Sequence, residues 1–296
     1  MIGVTGARGL VGQYVVRELL QHGYDVLAIT RTPWEDCPCQ QRSGVQLTDF
    51  SAFARALDGC EGLIHLANLP TPIGQDDTPE VFDNNLCADY HAMLLSGLMG
   101  FSKLVYASST CALGFSFAHH RPEVLTLPID ENTPASPDNS YGLAKLLSER
   151  AAQGMVQRFP SLCIVGLRIS YVAEPEAYAQ RCSPDRLRSM ANFDGNLASY
   201  VDARDCARAF RLALEAPLHG AELFYICNPD SMSLVPSPEA ARRLFPAARF
   251  SQSLGRFQAL ESSRKARRLL GWVPEHSWRE VLGVPSPEDL LHPDAP

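Results

Sequence analysis

Tyr141 and Lys145, in the run Ser140-Tyr141-Gly142-Leu143-Ala144-Lys145, are the residues of this chain best placed to do chemistry. Four residues is about one helical turn, so on a helix both side chains leave the same face. An ammonium held near a phenol favours the phenolate, which lets the tyrosine exchange a proton near neutral pH. Lysine is scarce here: Lys103, Lys145 and Lys265 are the only three among 26 basic residues. Arginine would not substitute simply, because its charge is spread over a planar fork.

A second chemical signal opens the chain. An apolar segment runs through Ile2-Gly3-Val4-Thr5 into Gly6-Ala7-Arg8-Gly9-Leu10-Val11-Gly12, and the amphipathic stretch Gln13–His22 follows. Gly6 permits a tight turn, Gly9 lets backbone approach a pyrophosphate, and Gly12 lets helix pack on strand. The spacing is G-x-x-G-x-x-G, in the strand–turn–helix context that a dinucleotide site requires.

Taken in order, these motifs resemble the extended short-chain dehydrogenase/reductase superfamily, and within it the NAD-dependent epimerase/dehydratase branch. The likeness continues through Thr48-Asp49-Phe50, Leu63-Ile64-His65-Leu66-Ala67-Asn68 and the helix opened by Asn85. In that helix Ala88-Asp89 stands where the family's N-x-x-G-T segment has Gly-Thr. Val105-Tyr106-Ala107-Ser108-Ser109, Gly166-Leu167-Arg168-Ile169-Ser170, Ser199–Asp205 and Leu269–Pro274 complete it.

The resemblance implies roles. Tyr141 is the acid/base, and Lys145 lowers its pKa and holds the ribose hydroxyls of a nicotinamide cofactor. Ser109 matches the residue that aligns the substrate oxygen, with Ser108 and Thr110 as rivals. Asn85 supports the site through water and backbone, or is an ordinary helix polar residue. Gly6, Arg8, Gly9, Leu10, Gly12, Asp49, Phe50, Leu66, Ala67 and Asn68 border the cofactor. His65, on an apolar strand, reads as a satisfied core histidine. The Asp-Glu pair of the family's dehydratases is replaced by Thr110-Cys111, which argues against water loss. Cys111 reads as pocket lining, with a proton carrier as the alternative.

Cofactor choice turns on Thr30 and Arg31, at the end of the second strand, where NAD-preferring members carry an acid. With Arg8 in the glycine turn, two guanidinium groups suit a 2′-phosphate, so NADP is favoured over NAD. The segment between Tyr171 and Tyr200 is short for a nucleotide-sugar site. It looks closer to uronate-dehydrogenase-like members, and implies a small polar, sugar-derived substrate. A sugar epimerase using its cofactor transiently is the alternative. Thr71, Ser109, Thr110, Ser170, Arg186 and Arg188 are candidate substrate contacts; the two arginines could equally form a solvated face.

Composition bounds the rest. The chain has 296 residues, 46% of them apolar, enough to bury a full core. A net charge of −7 and the lack of a basic run disfavour nucleic acid and anionic membranes. A strand beginning at residue 2 leaves no room for a signal peptide, and nine irregularly spaced cysteines suggest reduced thiols in the cytoplasm. Cys37-Pro38-Cys39 lacks a partner pair at zinc spacing, so no metal is expected. Strand-like runs at Val26–Ile29, Leu63–Leu66, Leu104–Ala107 and Cys163–Leu167 alternate with helical patterns at Phe53–Leu57, Val81–Met99 and Tyr141–Phe159. This is the pattern of an α/β fold with a doubly wound parallel sheet, a Rossmann fold. Proline-rich stretches at 70–79, 122–137 and 174–184 read as loops. The expected division is a nucleotide-binding domain at 1–170, completed by 201–228, with a small substrate-binding cap from 171–200 and 229–296. Leu94, Leu98, Leu147 and Met155, on the two long helices, would suit a homodimer.

Overall fold

The computed structural model describes residues 1–70 and 78–285. In chain order its strands are β1 (Ile2–Thr5), β2 (Val26–Ile29), β3 (Gln40–Arg42), β4 (Gly62–His65), β5 (Lys103–Ser109), β6 (Thr126–Leu127), β7 (Cys163–Ile169), β8 (Tyr171–Ala173), β9 (Tyr200–Asp202), β10 (Ala221–Ile226) and β11 (Arg249–Phe250). The helices are α1 (Leu10–Gln21), α2 (Phe50–Ala56), α3 (Pro79–Leu98), α4 (Ser140–Arg158), α5 (Pro175–Arg181), α6 (Pro184–Leu187), α7 (Ala203–Glu215), α8 (Ser237–Leu244), α9 (Arg264–Leu270) and α10 (Trp278–Val281).

Strands β1, β2 and β4 are buried along their whole length, which only a sheet covered on both faces can offer. Seven strands pair in the order β10-β7-β5-β4-β1-β2-β3, every pair parallel. The chain moves outward from β1 to β2 and β3, then returns on the other side of β1 as β4. The crevice at the C-terminal ends of β1 and β4 is therefore the switch point where ligands bind in open sheets. Helices α1 and α7 cover one face through Val15, Val16, Leu19, Ala209 and Phe210. Helices α2, α3 and α4 cover the other through Phe53, Ala92, Met93, Ala152 and Met155.

A separate core joins Leu113, Phe115, Ile129, Phe193, Val235 and Leu260 beyond the C-terminal edge of the sheet. The 269–274 motif ties the tail back to α7. Trp272 Nε1 donates to the Asp205 carbonyl at 2.9 Å, and the Asp205 carboxylate accepts from Glu275 N and His276 N at 2.9 and 2.8 Å. Burying Trp272 fully against the main core makes this tail part of the fold.

Three expectations change. The 174–184 stretch holds α5 and the start of α6, because Pro175 and Pro184 occupy first-turn positions where a missing N–H costs nothing. Strand β3 is an addition, since Gln40–Arg42 is largely exposed and lacks an apolar pattern. Met155 is buried in the core under α4, so it cannot face a partner; Leu98 and Leu147 are exposed. Most of 70–79 lies outside the described residues.

Candidate active site

The glycine turn is built by close approach. Gly6 has φ +65°, and a Cβ there would lie 2.9 Å from Ala67 N. At Gly12 a Cβ would come within 2.2 Å of the Gly6 carbonyl oxygen and 2.7 Å of Ala7 Cα. Backbone atoms cannot give way as a side chain can, so both positions require glycine. The cradle also holds buried polar atoms that have no hydrogen-bond partner among the described residues: Thr30 Oγ1 at the end of β2 and Asn68 Oδ1 after β4. Each costs about 1–3 kcal/mol unless a ligand satisfies it. The turn, the bare backbone and these orphan atoms fit a dinucleotide. Arg8 Nη1 reaches across to Thr32 Oγ1 at 2.6 Å, and Arg31 is exposed at the same strand end. Asp49 caps α2 by accepting from Ala52 N at 2.9 Å, with Phe50 as its first residue. Leu10 is exposed at the start of α1.

Helix α4 starts where Asn139 caps it, accepting from Gly142 N at 2.9 Å. Its first turn presses on the 3₁₀ helix Thr110–Leu113 that follows β5: a Cβ at Gly142 would lie 2.7 Å from the Cys111 carbonyl oxygen. This contact sets Tyr141 beside Ser109, which favours the ionised phenol and whose Oγ accepts from Cys111 N at 3.1 Å. Ser108 faces elsewhere. Its hydroxyl donates to Glu149 at 2.6 Å, where Glu149 is locked in a two-point pair with Arg168. Ser108 thus belongs with that ion pair, and Ser109 lies at the tyrosine. Thr110 is buried at the start of the 3₁₀ helix. Ile169 pairs with Ser109 across the sheet, so Ser170 comes next at the same edge, its Oγ without a partner among the described residues.

The electrostatics differ from the expectation for the pair. The Tyr141 phenol is pushed above its ordinary value by burial, then by Cys111, with Asp89 adding to the rise and the Ser109 bond opposing it. Lys145 does not dominate the phenol because its charge is spent elsewhere. Its Nζ donates to the Ala107 carbonyl at 2.5 Å, lies 3.8 Å from Asp89 Oδ2 and stands 5.9 Å from the Tyr141 ring centroid. Burial also pushes the Cys111 thiol up, against bonds from Ser109 and Ser116 that lower it, so it is held protonated.

Asn85 is committed to the loop after β4. Its Oδ1 accepts from Leu69 N at 2.8 Å and its Nδ2 donates to the Leu69 carbonyl at 2.9 Å. It clamps the segment Leu66–Leu69 and does not reach Tyr141 directly. His65 is fully buried and only half satisfied: Nδ1 bonds Thr5 Oγ1 at 2.8 Å, while Nε2 lies 3.0 Å from Asp89 Oδ1 without hydrogen-bond alignment. Arg186, half-committed to Asn192 Oδ1 at 3.4 Å, and Arg188 are both exposed. Thr71 lies outside the described residues. The residue that sequence reasoning passed over is Asp89. The signal was present in the N-x-x-G-T comparison, where an acid stands in place of threonine.

A glycine-turn dinucleotide cradle and a Ser/Tyr/Lys group on one parallel sheet define the extended short-chain dehydrogenase/reductase class. The chain belongs to the NAD dependent epimerase/dehydratase family, whose model matches residues 2–227. It is 28% identical over 182 residues to dTDP-6-deoxy-L-talose 4-dehydrogenase (NAD(+)) of Aggregatibacter actinomycetemcomitans, covering 59% of this chain and 62% of that one. With UDP-glucose 4-epimerase of Corynebacterium glutamicum it shares 27% identity over 308 residues, covering 93% and 91%. A solved structure described as a mutated uronate dehydrogenase superposes with TM-score 0.65 at 20% identity, covering 97% of this chain and 86% of that one. Among the described residues no helix is long and apolar enough to cross a membrane.

Proposed function

We infer that the protein is an NAD(P)-dependent oxidoreductase acting on a hydroxyl or keto carbon of a small polar, sugar-derived substrate. The observation that carries this reading is the placing of Ser109 against Tyr141 at the C-terminal edge of the sheet that also bears the glycine cradle. Tyr141 takes or returns the hydroxyl proton, and Ser109 donates a hydrogen bond that aligns the same oxygen. Lys145 sits below them, where a nicotinamide ribose would be held. Bound nicotinamide supplies the hydride acceptor or donor. Gly6, Arg8, Gly9 and Gly12 take the pyrophosphate side, and Thr30, Arg31, Asp49 and Phe50 the adenosine side. Ser170, Thr110 and the 171–200 lobe face the substrate, with Arg186 and Arg188 available for an anionic group.

NADP is the favoured cofactor, because Arg8 is anchored over the end of β2 and no carboxylate stands at Thr30. The relative named for NAD(+) favours the other choice. Titrating NADH and NADPH by fluorescence decides between them. Tighter NADPH binding, lost in Arg8→Ala, is expected; equal or reversed affinities overturn the preference. A transient-cofactor epimerase is the second reading, favoured by the likeness to a UDP-glucose 4-epimerase over nearly the whole chain. The exposed Leu98, Leu143 and Leu147 on α3 and α4 support a homodimer. Free cysteines throughout the described residues support a cytoplasmic, reducing location.

A further inference from the structure

Helix α3 delivers a carboxylate to the floor of the site. Asp89 is wholly buried and both its oxygens are in use. Oδ1 accepts from Asn68 Nδ2 at 2.8 Å and lies 3.0 Å from His65 Nε2. Oδ2 accepts from Ser148 Oγ at 2.7 Å and lies 3.8 Å from Lys145 Nζ. Counting donors fixes the histidine tautomer. Thr5 Oγ1 accepts from Leu66 N at 3.1 Å and Ala67 N at 3.4 Å, which directs its own proton to His65 Nδ1. The ring proton is then on Nε2, beside Asp89 Oδ1 but outside hydrogen-bond alignment with it. Burial alone would push the Asp89 carboxyl up, but Lys145, His65 and Asn68 override it and pull it down to about 2.

The line Thr5–His65–Asp89–Lys145 thus joins the strand ends that form the cofactor cradle to the helix that carries Tyr141. A threonine at 89, as in the resembling family, would leave Lys145 without this buried counter-charge. We propose that Asp89 is a positioning residue for Lys145, fixing its ammonium against Ala107 at the floor of the cofactor cradle. The inference rests on the nicotinamide reading above. It makes Lys145 an anchored ion shared between the cradle and the acid/base pair, and it explains why Tyr141 feels little of that charge.

The scarcity of lysine provides the test. Trace acetylation with isotopically labelled acetic anhydride, read by peptide mass spectrometry, reports the reactivity of Lys103, Lys145 and Lys265 in one sample. Lys145 is buried and tied to Asp89 and the Ala107 carbonyl, so the reagent reaches it only where that anchoring is lost. In cofactor-free protein, Asp89→Asn should therefore raise Lys145 labelling severalfold relative to Lys103 and Lys265, and should also weaken NAD(P)H binding read by fluorescence. Asp89→Thr, which restores a short neutral side chain, should do the same and is the variant to read if Asp89→Asn does not fold. Unchanged Lys145 labelling in a folded variant, or an equal rise at all three lysines, overturns the proposal. The nicotinamide reading fails separately, if the wild-type protein binds neither NADH nor NADPH.

Discussion

Two glycines on one helix predict opposite outcomes for the same substitution. In a helix interior, Gly→Ala ordinarily stabilises by about 1 kcal/mol, because alanine restricts the unfolded chain. At Gly154, on the outer face of α4, an added Cβ meets nothing within 4 Å. Gly154→Ala should therefore deliver that gain, raising the melting temperature by roughly 2 °C for a chain of this size. At Gly142 the Cβ would lie 2.7 Å from the Cys111 carbonyl oxygen and 2.7 Å from Pro137 Cβ. The oxygen belongs to the backbone of the 3₁₀ helix after β5, so relief requires α4 to move away from it. Overpacking of this kind costs about 1–3 kcal/mol, which outweighs the propensity gain. Gly142→Ala should melt below wild type, and it should separate Tyr141 from Ser109 and lose turnover out of proportion to stability. Thermal unfolding of the two variants side by side is the assay. If Gly142→Ala is as stable as Gly154→Ala, the packing of α4 on the 3₁₀ helix does not hold Tyr141 in place.

Ser108 and Ser109 should separate stability from rate. Ser108→Ala breaks a charge-assisted bond to Glu149 and should cost about 1.5–3 kcal/mol in unfolding with modest loss of turnover, while Ser109→Ala should keep stability and lose on the order of 10²-fold in rate. Glu261 is buried, and burial first, against Ser199 and Arg168, raises its carboxyl from 4.5 to about 7. Its folded-state value is the higher one, so its contribution is fully present below about pH 4.5 and is lost as pH rises through about 7. Glu261→Gln should flatten stability across that window and gain up to about 3 kcal/mol at pH 8, measured by denaturant unfolding; no gain at pH 8 would show that burial does not raise this carboxyl. Cys111→Ala should change turnover little, and loss of solvent deuterium exchange at a substrate carbon in that variant would instead assign Cys111 a proton-carrying role.

The sheet was legible because its strands are buried on both faces: Val26–Ile29 was bounded to the residue from its apolar run alone. Long helices such as α3 and α4 were legible as the helical patterns at 81–99 and 141–159, within two residues of their ends at Pro79–Leu98 and Ser140–Arg158. Segments whose structure depends on tertiary packing were not. Pro175 and Pro184 read as breakers but start helices, and the polar Gln40–Arg42 becomes a strand only because β2 offers it an edge. At the site, residue identities and order pointed to Tyr141, Lys145 and Ser109, since chemistry constrains types and spacing. What spacing could not carry was where the lysine's charge goes. That depends on Asp89 and His65, more than fifty residues upstream of Lys145, meeting it in the folded interior.

The central claim is that Tyr141 serves net hydride transfer, and absorbance at 340 nm tests it most directly. Wild type and Tyr141→Phe are incubated with NADP+ or NAD+ and a panel of free uronates, aldoses and nucleotide sugars. The account predicts sustained formation of reduced cofactor in proportion to substrate consumed for at least one sugar-derived substrate, with turnover lower by about 10²–10⁴-fold in Tyr141→Phe while cofactor affinity is retained. A Tyr141→Phe protein that keeps most of its activity would contradict it, as would a substrate that is epimerised without net cofactor reduction.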